Sequence, residues 1–199
     1  MKWRIVLALL LLLLAVVAGW LAWRLLGTDA GLGSSEIVEA SSGHAYRYIA
    51  APNIRWDEAR DAAARQSWHG HQGYLATIDD SAEYQFVIDR LFPTTYPDVT
   101  YLGGRQTAPG EWRWVTGPDG KADGGKGTLF WRGDEQGAAE GGHYANWMSS
   151  AFQHDGKWSV SHVCCVTLFS YSVPQFSTSL GTGDADEHVA GYIVEFGED

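Results

Sequence analysis

The sequence predicts an α+β domain with an antiparallel sheet. Three observations carry this. Two amphipathic helical segments lie between residues 53 and 93, and the chain beyond them reads as short apolar strands between glycine-rich loops. The first strand-like segment, after His44, has a possible pairing partner at the far end, over residues 192–196.

Taken in order, His44-Ala45-Tyr46-Arg47-Tyr48-Ile49 alternates as a first strand does. Asn53 precedes a segment in which Trp56, Ala59 and Ala63 share one helical face, while Asp57, Glu58, Arg60, Asp61 and Arg65 lie mostly elsewhere. Gly70 and Gly73 are expected to end that helix. An apolar stretch over residues 74–78 leads to Asp80 and Glu83, spaced as an N-cap with an acidic residue three positions on. Phe86, Val87 and Leu91 then form a buried stripe, and Pro93 stops the helix. Strands are expected at Tyr101-Leu102-Gly103-Gly104, at Trp112-Arg113-Trp114-Val115, over residues 163–169 and over residues 192–196.

The N-terminus is different in kind. Lys2 and Arg4 precede an apolar run over residues 5–23, long enough to cross a bilayer core as one helix. Its flanking charge places the N-terminus inside and the rest outside. The expected organisation is a cytoplasmic tip and transmembrane signal anchor over residues 1–26, a Gly/Ser-rich linker over 27–43 and one domain over 44–199. A cleaved signal peptide ending near Val16-Val17-Ala18-Gly19 is the rival. The expected location is therefore a single-pass membrane protein with a periplasmic or extracellular domain.

The chain has 14 basic and 24 acidic residues, net −10. Setting aside Lys2, Arg4 and Arg24 leaves 11 against 24 outside the membrane, net −13. Nucleic acid is excluded as a partner on this ground, because phosphate recognition needs clustered Lys and Arg. The two cysteines are adjacent, Cys164-Cys165. They are either a vicinal disulfide or two thiols on opposite faces of a strand.

The ordered string Trp56-Asp57-Glu58-Ala59, the junction over 73–78, the helix over 81–87, Tyr101-Leu102-Gly103-Gly104, Cys165-Val166-Thr167-Leu168 and the closing strand over 192–196 resembles the C-type lectin-like domain in its compact bacterial form. The resemblance covers roughly residues 44–197. It implies two helices, antiparallel sheets and a long loop region, here over residues 117–160, that carries the ligand surface. Members with disulfides link the end of the first helix to the last strand, at places that fall near Trp68 and Val194. A Trp–Val contact there would replace the link with apolar burial, on the order of 2–3 kcal/mol.

The family's calcium-bridged sugar site uses a Glu-Pro-Asn triplet after an Asn-Trp element, matched here by Asn146-Trp147, and a Trp-Asn-Asp triplet before the last strand. Counting along this chain puts Ala151-Phe152-Gln153 and Ser179-Leu180-Gly181 at those places. Calcium needs six to eight hard oxygens, which these stretches do not supply. No cofactor is therefore expected. A cation held by Asp184, Asp186, Glu187 and one of Glu135, Asp134 or Asp155 folding across stays a lesser alternative to a solvated acidic loop. Glu83 and Glu195 fall where some members hold a structural calcium; a cap and a salt-bridge partner are the plainer roles.

The expected ligand-binding residues are Glu135, Tyr144, Asn146, Phe152, Gln153, Asp155, Asp184 and Asp186, with Tyr144 and Phe152 the aromatics best placed for exposure. Trp131, Trp147 and Trp158 also lie in this region. The histidines His69, His71, His143, His154, His162 and His188 lack the carboxylate or thiol spacing of a zinc motif, and no HExxH or GxSxG is present. Arg132-Gly133-Asp134 is a three-residue match of the kind chance supplies. The expectation is a non-catalytic recognition protein of the envelope binding a glycan or a protein. An enzyme using His162 and Cys164 is the reading from another class.

Overall fold

The computed structural model describes residues 33–134, 136–154, 157–158, 164–169, 174–179 and 189–197, with the backbone alone at Gln153, His154, Lys157, Trp158 and Ser179. The expected membrane anchor lies outside these residues. No helix among the described residues is long and apolar enough to cross a membrane.

The domain starts earlier than the sequence suggests. Val38–Glu39 forms a short strand, β1, paired with the start of β2, Ala45–Ala50. Ser35 adds to the join: its N–H donates to the Tyr48 carbonyl at 2.9 Å, and its hydroxyl accepts from the Tyr48 N–H at 2.9 Å. The last ten residues of the expected linker are thus part of the fold, because their backbone groups complete a sheet edge.

Helix α1 runs Trp56–Ala64 and buries Trp56, Ala59 and Ala63, the face expected. Its start is set by Arg55, whose N–H donates to the Glu58 carboxylate at 3.2 Å, and not by Asn53, which sits in left-handed backbone at φ 60°. It stops at Arg65, ahead of the glycines. Ser67–Trp68 (β3) and His71–Leu75 (β4) then form a hairpin turning through His69 and Gly70, both at positive φ. Gly70 is therefore a turn residue. Gly73 permits close helix–strand approach, since a Cβ there would stand 2.7 Å from the Ala63 carbonyl.

Asp80 caps helix α2, Ser81–Leu91, accepting from the N–H groups of Ala82 and Glu83 at 2.7 and 2.8 Å. The buried stripe is Tyr84, Val87, Ile88 and Leu91, with Phe86 only half-buried.

Strand β13, Val189–Phe196, is the hub. It pairs antiparallel with β2 along Ala45–Ala50 and with β4, and parallel with β5, Val99–Ala108. The sheet is therefore mixed, not purely antiparallel. From β5 it continues antiparallel through β6, Glu111–Trp114, to β7, Thr128–Arg132, and β8, Ala138–Ala139. Short β9, Gln153–His154, and β10, Lys157–Trp158, pair with each other. Strand β11, Cys165–Phe169, lies on β5 and pairs with β12, Gln175–Ser179. Strands β7 and β12 were not expected from the sequence. Phe130 of β7 is fully buried, so part of the expected 117–160 loop region is sheet.

Gly103 and Gly104 of β5 are there for packing. A Cβ at Gly103 would meet the Thr116 hydroxyl at 1.9 Å and the Leu75 carbonyl at 2.5 Å; at Gly104 it would press on Val166 and Trp114. Cys164 and Cys165 are joined as a disulfide, with Cys165 buried in β11 and Cys164 half-buried. Trp68 reaches the last strand through Phe196, ring centres 6.4 Å apart, two residues beyond the expected Val194.

Candidate functional site

Two places in the fold gather polar side chains with chemistry to offer. The first is the stretch after Gly142. Trp147 anchors it, with its ring 4.8 Å from Phe152, 5.3 Å from Trp112 and 5.7 Å from Phe176. Trp147 and Phe176 also form a parallel bridge, flanked by hydrogen bonds from Phe176 N–H to the Asn146 carbonyl at 2.8 Å and from Met148 N–H to the Phe176 carbonyl at 3.0 Å. The segment cannot shift without breaking this core.

On that anchor sit three polar side chains, all half-buried. The Asn146 side-chain carbonyl accepts from the Gln175 amide at 3.3 Å. Tyr144 packs at 5.5 Å from Tyr84 and 5.9 Å from Phe176. Burial raises the Tyr144 hydroxyl above its usual range, opposed by a hydrogen bond with Asn146. The Tyr84 hydroxyl, likewise raised chiefly by burial, donates to the Pro174 carbonyl. Two amide groups and a phenol therefore share a partly exposed face, able both to donate and to accept.

Of the expected ligand-binding residues, Tyr144 and Asn146 are brought together here. Phe152 is not available: it is 2% exposed, and its ring lies 5.6 Å from Trp112. Its neighbour Ala151 is equally buried, because the chain turns inward to fill the space under Trp147. The side chain of Gln153, and the whole of Glu135, Asp155, Asp184 and Asp186, lie outside the described residues. Gln175 was missed, since a lone Gln in a polar stretch gives no signal in sequence. The Arg132-Gly133-Asp134 motif is occupied structurally: Arg132 pairs with Glu111 at 2.7 Å and Glu140 at 3.1 Å.

The second place lies where β2, α2 and β13 meet. Glu195 is 1% exposed, and among the described residues no Lys or Arg pairs with it or with Glu83. His44 Nδ1 lies 2.6 Å from Glu195 Oε1. The Thr77 N–H donates to Glu195 Oε2 at 3.0 Å, the Asp79 N–H to Glu83 Oε2 at 2.7 Å and the Tyr46 hydroxyl to Glu83 Oε1 at 2.6 Å. One ligand atom from each of His44, Glu83 and Glu195 can be chosen so that all lie within 4.8 Å of one another.

Burial first, then the Glu195 charge, pushes the Glu83 carboxyl up to about 8. The same two influences, with Glu83 added, keep the Tyr46 hydroxyl protonated far above the phenol range. Calcium is a poor match to this set. Calcium takes six to eight oxygens; this set offers an imidazole nitrogen and carboxylate oxygens already accepting from N–H and O–H donors. His44 was not among the histidines singled out from the sequence. Its only sequence signal was position, at the start of a strand expected to pair with the one carrying Glu195. Among the described residues, His69 and His71 join no such cluster.

No family model matches the sequence. Halomucin of Haloquadratum walsbyi (strain DSM 16790 / HBSQ001) is 35% identical over 121 residues, which cover 60% of this chain and 1% of halomucin. The chain therefore spans a very small part of that relative. Among solved structures, the C-type lectin CEL-I from Cucumaria echinata superposes with a TM-score of 0.55 at 13% identity, covering 81% of this chain and 95% of CEL-I. The mouse scavenger receptor C-type lectin carbohydrate-recognition domain gives 0.51 at 17% identity, covering 82% and 96%. Its human counterpart gives 0.51 at 15%, covering 80% and 94%. At these identities the likeness is one of fold. With two helices against a sheet closed by its first and last strands, this chain has the C-type lectin-like fold.

Proposed function

We propose that the domain is a non-catalytic recognition module that binds a glycan through the Tyr144, Asn146 and Gln175 face, without a calcium bridge. The observation that carries this is the Asn146–Gln175 amide pair, held half-exposed beside an aromatic ring on a segment locked down by Trp147. Amides hydrogen-bond sugar hydroxyls in both directions, and a phenol ring offers an apolar face to a pyranose. The scavenger receptor neighbours, both carbohydrate-recognition domains, support the ligand class. The burial of Ala151 and Phe152, where the sequence count places the first calcium triplet, supports calcium independence. On this reading the domain works outside the cytoplasm, tethered by the apolar N-terminal run, and its acidity keeps nucleic acid away.

A protein ligand is the second reading, supported by Trp131 and Met148, half-exposed apolar side chains beside the same face. A glycan array run with and without chelator separates the two. The expected result is sugar binding that survives chelation and falls at least tenfold in Asn146→Ala. Chelator-sensitive binding sinks calcium independence. A blank array turns the assignment to protein.

A further inference from the structure

We propose a second binding site, for an acidic polysaccharide, on the basic surface around Val115. It takes only its ligand class from the glycan reading above and uses a different side of the sheet. Strand side chains alternate. Trp112 and Trp114 of β6 turn into the aromatic core that holds Trp147, so Arg113 between them turns the other way, as does Arg105 opposite it on β5.

The first argument is the segregation of charge. Of the 11 basic residues beyond the apolar N-terminal run, set against 24 acidic ones, five stand around Val115. Arg60 and Lys121 line a cavity of about 350 Å³. Arg105, Arg113 and Lys126 line another of about 740 Å³, and Val115 borders both. Glu111 is the one acid among the residues lining either. Such a concentration of cations on an acidic domain focuses a positive field where a negative ligand can dock.

The second argument is which of these charges are free. Arg113 is held by Asp123 at 3.1 Å and Glu111 at 3.5 Å, Lys126 by Asp123 at 3.6 Å, and Arg60 by Asp61 at 2.7 Å. Among the described residues Arg105 and Lys121 pair with no carboxylate. Arg105 lies over the Trp56 ring at 5.2 Å, which orders the guanidinium without neutralising it.

The mixture of charges selects the ligand. Carboxylates accept hydrogen bonds and never donate them. A ligand spanning Arg105 and Lys121 therefore meets the acids between them best if it brings hydroxyl donors with its negative charge. Gln72, whose amide donates to the Ala64 carbonyl at 2.8 Å, keeps its own carbonyl as a further acceptor on the first cavity. A polysaccharide with uronate or sulfate groups supplies both, with its charges at intervals. A nucleic acid packs its phosphates densely, and the interspersed Glu111, Asp123 and Asp61 repel it.

The test measures binding of the full-length chain by calorimetry to polygalacturonate and dextran sulfate, with neutral dextran, polyglutamate and duplex DNA as contrasts. Binding to at least one acidic polysaccharide is expected, weakening as salt rises; which of the two binds assigns carboxylate or sulfate. Arg105→Ala/Lys121→Ala should lower it about tenfold or more, as for charge contacts to a polyanion. Lys121→Glu alone, on an exposed side chain that leaves the core untouched, should weaken it in the same direction. Arg90→Ala, an exposed cation on α2, should bind as the parent does. Asn146→Ala should also leave this binding intact, so failure of the Asn146 face and failure of this site read out separately. The proposal is overturned if neither acidic polysaccharide binds, or if dextran, polyglutamate or DNA binds as well as they do. It is equally overturned if binding survives both Lys121→Glu and the double variant, or falls as far in Asn146→Ala.

Discussion

The two buried regions of this domain solve opposite problems. Under the Trp147 segment the core is aromatic: Trp114 stacks on Phe130 at 4.3 Å, and Trp112, Phe152 and Phe176 close around Trp147. The indole N–H groups of Trp112, Trp114 and Trp147 find no hydrogen-bond partner among the described residues. Where β2, α2 and β13 meet, the buried groups are charged or hydroxylic, and Glu83, Glu195 and Tyr46 are all hydrogen-bonded. One region gains stability by apolar area and tolerates unmet polar groups. The other spends stability on polar groups and in return fixes which strands meet which helix.

The comparison can be broken at several points, starting with the largest effect. Trp114→Ala should cost about 3–5 kcal/mol in denaturant unfolding, the range for a buried aromatic truncated to Ala. A cost below about 1 kcal/mol would mean the aromatic core is not the main support. Gly103→Ala should cost about 1–3 kcal/mol by overpacking. Its Cβ collides with Thr116, whose hydroxyl holds the Leu75 carbonyl at 2.7 Å.

Next comes pH. Glu83 binds its proton more tightly folded, with a pKa of about 8, than at the ordinary value of 4.5. Between those values the folded state carries the extra proton, so stability falls as pH rises. The slope contributed by this one group is at most about 1.4 kcal/mol per pH unit, and Glu83→Gln should remove it. An unchanged pH profile in that variant would show that Glu83 ionises freely. Asn146→Ala should lower ligand binding with the Tm almost unchanged, which separates the recognition face from the core beneath it. Smallest is Arg132→Ala, whose exposed ion pairs predict little change in Tm, because solvent screens such pairs.

Much of the scaffold was legible because local rules specify it. The Trp56, Ala59 and Ala63 spacing, the Asp80 cap and the closing strand each follow from periodicity or a single side-chain bond. The misreadings came where a neighbour decided. Gly70 reads as a helix stop yet turns a hairpin, and β7 reads as loop because its partner β6 lies across intervening glycines. Phe152 reads as an exposed aromatic, but a cavity under Trp147 needed filling. Gln175 gained a role only when β12 brought it to Asn146.

By itself, then, the sequence determined the two helices, the principal strands and the pairing of the chain's first main strand with its last. Hydrophobic period and capping act within a few residues, so they survive being read in one dimension. Only the tertiary structure decided that His44, Glu83 and Glu195 come together, across 151 positions from His44 to Glu195. That meeting depends on the register of β2 against β13 and on where α2 begins. No short stretch of sequence records either.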